Sequence, residues 1–65
     1  MANPSDLAEM STIRSQIDEL TARVVMMAER YETTPDSAIA SDLFGAERAL
    51  VNAQRSIYRA SAALA

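Results

Sequence analysis

The chain has 65 residues, with six arginines and no lysine against nine carboxylates, one glycine, and neither histidine nor cysteine; its net charge is −3. A chain this short forms one domain at most and buries only about 60% of the surface its unfolded form exposes, so its own core supplies a thin margin of stability. The composition excludes a disulfide frame, removes the commonest zinc ligand and disfavours a phosphate backbone as partner, which leaves self-association or another protein as the source of extra stability.

The first ten residues, "MANPSDLAEM", lack the basic stretch and apolar run of a signal peptide, and no segment approaches the ~20 apolar residues of a membrane span. The expectation is a cytoplasmic protein with no membrane partner. Asn3, Pro4 and Asp6 supply an N-cap, a proline at the first helical position and a carboxylate in the first turn. From there apolar residues fall at Met10, Ile13, Ile17, Leu20, Val24, Met27 and Tyr31, alternating steps of three and four, which is a heptad stripe on a helix. The first helix is therefore predicted over residues 4–32.

Next comes "ETTPDS", in which Thr34 can cap and Pro35 can open a second helix. The turn is placed at 33–34 and the second helix at 35–63. Its stripe reads Ile39, Leu43, Ala46, Leu50, Ala53, Ile57, Ala60 and Leu64. Two long helices joined by a short turn run antiparallel. One register then pairs Tyr31 with Ile39, Met27 with Leu43, Val24 with Ala46, Leu20 with Leu50, Ile17 with Ala53, Ile13 with Ile57 and Met10 with Ala60. Large side chains face alanines in alternate layers, and Arg23 comes level with Glu47 and Gln16 with Gln54. The fold class is all-α: residues 1–65 form a single antiparallel two-helix hairpin with an alanine-rich coiled-coil seam.

A second apolar series on the second helix, Phe44, Val51 and Tyr58, is spaced by seven and turned about 100° from the seam. One hairpin cannot cover both stripes. The series, with Val25, Met26 and Tyr31 near the turn, is the expected interface of a homodimer, a four-helix bundle of two hairpins. The small residues Gly45, Ala49, Ser56 and Ala63 form a second-choice interface; glycine costs about 1 kcal/mol in a helix interior, which suggests close approach by another backbone.

No catalytic site, cofactor or metal is implied. The di-iron bundle pattern requires histidines, nucleophilic catalysis lacks a base for any serine, and a single glycine makes no phosphate-binding loop. "IRSQIDEL", Ile13 to Leu20, resembles the start of the first helix of the all-helical chorismate mutases, where an arginine binds substrate, and the resemblance implies that role for Arg14. It covers little more than two helical turns. Thr21 stands where that family has an acidic residue, Arg30 is one place out of step, lysine is missing, and so is a third helix. The expected function is a non-enzymatic interaction or regulatory module, acting as a homodimer and through another protein; an accessory subunit packed on a larger enzyme or complex is the alternative, and a chorismate mutase-like enzyme a remote one.

Overall fold

The computed structural model describes residues 4–65, so the cap expected from Asn3 lies outside the described residues. Helix α1 spans Pro4–Tyr31 and α2 spans Ser37–Leu64, 28 residues each, and the two pack against each other as a hairpin. Asp6 in the first turn of α1 and Arg30 in its last both complement the helix dipole.

The turn is longer than predicted, because α1 ends one residue earlier and α2 starts two residues later. Thr34 explains this. Its hydroxyl donates to Tyr31 O at 2.7 Å and accepts from Asp36 N–H at 3.2 Å, so one side chain closes the end of α1 and restrains the entry to α2. Pro35 thus falls inside the turn. Asp36 takes the N-cap position of α2 without a side-chain capping bond, and Ile39 N–H donates to Asp36 O at 2.9 Å, a tight three-residue step into the helix.

The hairpin measures 53 × 14 × 9 Å between Cα atoms, which is a single layer of two helices. Its radius of gyration is 15.1 Å, against about 11 Å for a compact domain of this length. One layer has little interior: only Ala28 and Ala40 are buried among the described residues.

The seam is rotated from its predicted position. In α1 the residues withdrawn from solvent include Leu7, Met10, Arg14, Ile17, Thr21, Val24, Ala28 and Tyr31, with Ile13 and Val25 half-buried at the sides; in α2 they include Ala40, Leu43, Glu47, Leu50, Gln54, Ile57, Ser61 and Leu64. Both sets step by three and four. Of the predicted stripe of α2, half stays in the seam while Ile39, Ala46, Ala53 and Ala60 are exposed; in that of α1, Leu20 and Met27 are exposed and Ile13 stays half-buried beside the seam. The Ser61 hydroxyl reaches Met10 Sδ at 3.3 Å, one residue beyond the predicted Met10–Ala60 pair. Carried along both helices, that register sets Val24 beside Glu47, Thr21 beside Leu50 and Ala28 beside Leu43. Arg23 and Glu47 form no ion pair, and Gln54 bonds across to Arg14 O and Asp18 instead of meeting Gln16.

Polar residues sit in the seam because they carry acceptors with them. Thr21 donates to Ile17 O at 2.7 Å and Ser61 to Ile57 O at 2.9 Å, each one turn back on its own helix. Gln54 Nε2 donates across the hairpin to Arg14 O at 2.9 Å and to Asp18 Oδ1. Each side chain enters the interface without stranding its donor. Small side chains at Ala28 and Ala40 hold the helices close at the turn end, so the Ala28→Leu variant should lose about 1–3 kcal/mol by overpacking. Thermal unfolding followed by circular dichroism should show that loss beside an unchanged Ala62→Leu control, since Ala62 is exposed; equal melting temperatures would contradict this register.

Candidate functional site

With the observed seam residues as heptad positions a and d, Ile13, Leu20 and Met27 occupy position g of α1, and Ile39, Ala46, Ala53 and Ala60 occupy position g of α2. Across an antiparallel pair, g positions lie on one common flank. Every residue in this set is apolar; the one other g position of α1, in its first turn, is Asp6. Leu20 is 45% exposed, Met27 42% and Ile39 44%, and the three alanines are exposed as well. The flank also abuts the larger apolar residues of the seam, Ile17, Val24, Leu43, Leu50 and Ile57. A row of apolar side chains, three of them large and exposed, therefore runs along one flank, beside the line where the helices touch.

The opposite flank holds the residues expected at the interface. Phe44, Val51 and Tyr58 occupy position e of α2 and Val25 the same position of α1, mixed with Ser11, Asp18 and Glu32. Phe44 and Val25 are half-buried within the hairpin, and Tyr31 belongs to the seam. Val51 and Tyr58 stay exposed, at 37% and 58%. Met26, 62% exposed, occupies position f on the outer side, apart from the other five. The structure thus splits the predicted group among a flank, the seam and the outer surface.

Arg14 also faces the e flank. Its guanidinium lies over the Tyr58 ring, 4.9 Å from the centroid, a cation–π arrangement that joins the helices. The sequence reading singled out Arg14 alone. Arg55 and Arg59, which line a cleft with it, were missed; their signal was the recurrence of Arg48, Arg55 and Arg59 at steps of seven and four on α2.

The second-choice ridge lies on the outer side of α2, where Ala49, Ser56 and Ala63 are exposed. Gly45 has no close backbone neighbour within the chain: a Cβ added there would meet only the end of the Arg48 side chain, at 3.7 Å. The Gly45→Ala variant should therefore gain up to about 1 kcal/mol from helix propensity, read as a rise in the urea midpoint, whereas a loss would mean that another backbone packs on this glycine. No protein-family model matches this chain, and neither a curated protein nor a solved structure does.

Proposed function

We propose that this chain is a non-enzymatic helical interaction module that works as a homodimer, two hairpins pairing into a four-helix bundle through the flank of Ile13, Leu20, Met27, Ile39, Ala46, Ala53 and Ala60. The observation that carries the reading is the area this single layer leaves open. The accessible surface is 4767 Å², whereas a compact monomer of 7.0 kDa presents about 4,000 Å². The excess, roughly 700 Å², is close to the ~800 Å² that one partner contributes to a standard interface.

The direction of the apolar stripes supports the same arrangement. In a four-helix bundle each helix aims its apolar stripe at the common axis, which lies between its two neighbours. Here the larger apolar residues of both helices lie in row d, on the side of the seam nearest that flank, with Ile13, Leu20, Met27 and Ile39 beyond them in row g, while row a holds smaller or polar residues. A second hairpin, related by a two-fold axis, would present its own copy of that flank, and the alanines of α2 would leave room for Ile13, Leu20 and Met27 of its partner. This arrangement replaces Phe44, Val51 and Tyr58 as the preferred dimer surface, because their flank carries two carboxylates, Asp18 within it and Glu32, whereas the other has one, Asp6, at its far end.

Light scattering tests the reading. The unmodified chain should have twice the 7.0 kDa chain mass. Leu20→Asp should dissociate it, since a carboxylate would be buried without a partner, and helix content should fall with dissociation. Val51→Asp should leave the dimer intact. A folded, unmodified monomer would overturn the homodimer; a poorly folded monomer would point to an accessory subunit whose flank is covered by a larger protein. Dissociation by Val51→Asp alone would move the interface to the Phe44 flank.

A further inference from the structure

The cleft between the helices on the e flank gathers cations in an otherwise acidic protein. Arg14 from α1 and Gln54, Arg55, Tyr58 and Arg59 from α2 line a volume of about 320 Å³. Three of the six arginines meet there, and no carboxylate lines the cleft. The neighbouring acid is Asp18, one turn along α1 from Arg14, and one of its oxygens already accepts from Gln54 Nε2. We infer that this cleft binds the phosphate group of a small molecule.

The Arg14 guanidinium is placed differently from those of a solvated charged face, and Arg55 and Arg59 are exposed beside it. Arg14 is half-buried and its head group is held over Tyr58, so its orientation is set before any ligand arrives. Arg59 donates to Ser56 Oγ at 3.2 Å, which tethers one nitrogen and leaves its other donors. Arg55 has no hydrogen-bond or ion-pair partner among the described residues. Arg14 Nε, a donor in the cleft's own lining, is buried with no acceptor, so the chain leaves one N–H of this cluster for an oxyanion; Gln54 Oε1, also buried and unpartnered, is an acceptor and would need a donor elsewhere on the ligand. A planar guanidinium presents paired donors to a tetrahedral oxyanion, and three cations match a doubly charged phosphate better than a single carboxylate. The volume is at the small end of ligand sites, enough for a phosphate and a compact carrier. Pairing through the opposite flank would leave the cleft open, so the site does not depend on the dimer.

The test is a titration of the isotope-labelled full chain with inorganic phosphate and with glycerol 2-phosphate, at ionic strength held constant with sodium chloride. The side-chain signals of Arg14, Gln54 and Arg55 and the amides around Tyr58 are followed by nuclear magnetic resonance. Saturable shifts confined to these groups are expected. Both Arg55→Gln and Arg59→Gln should weaken binding about tenfold, as loss of one charge-assisted contact does, with helix content unchanged. Arg30→Gln, near the turn, should have no effect. Three results would overturn the inference: no saturable shift at the cleft, equal weakening by Arg30→Gln and Arg55→Gln, which would indicate diffuse charge, or an equal response to acetate, which would show that the cleft does not select phosphate.

Discussion

Everything in this hairpin follows from the apolar stripe on each helix being wider than one neighbouring helix can cover. A helix of 28 residues is about 42 Å long at 1.5 Å per residue, and a single antiparallel partner shields only the a and d rows. Both chains of apolar residues here fill rows d and g. With only two helices, rows d and g of both cannot all be buried, and the structure resolves the conflict by sharing row d and leaving row g open. The result is a hairpin with two buried residues and an apolar flank.

The choice of row a as the second half of the seam has a steric reason. Ala28 and Ala40 fit between backbones at close distance, whereas Met27 and Ile39 in their places would force the helices apart at the turn. Farther along, Thr21, Gln54 and Ser61 fill the same row. Hydroxyls and amides withdrawn from water are costly when their donors are unmet, and the donors of these three find carbonyl or carboxylate acceptors within the hairpin, although Gln54 Oε1 stays unpartnered. The polar half of the seam is therefore tolerated, and the strongly apolar residues are released to the flank.

That division shows what could be read in the residue order. The helices, the short turn and the antiparallel course follow from heptad spacing, from Pro4 and from "TTPDS", and the structure has them all. The rotation of the seam was not legible, because hydropathy locates the greasiest side of a helix and not the direction of its nearest neighbour. The two coincide in an isolated two-stranded coil and diverge by tens of degrees when further helices share the core. Ile13, Leu20 and Met27 outweigh Leu7, Arg14, Thr21 and Ala28 on any apolar scale, so the pattern favoured the wrong row. The clue lay in the rejected one: a threonine, a glutamine and a serine recurring in step with the seam, types that supply their own donors and can reach a nearby acceptor. The cationic cleft was hidden for another reason, since Arg14 is forty positions from Gln54 and only the register brings them together.

The two flanks consequently divide the chemistry of a very small protein. Removing row g from the seam makes one flank apolar except for Asp6 at its far end, while the opposite flank keeps Asp18, Glu32 and the cleft arginines beside Phe44, Val51 and Tyr58. The apolar row and the cationic cleft thus occupy opposite sides of one layer and share no residue. Arg14, stacked on Tyr58, and Gln54, bonded to Arg14 O, sit in seam row a, so the groups that orient the cleft also hold the helices in register.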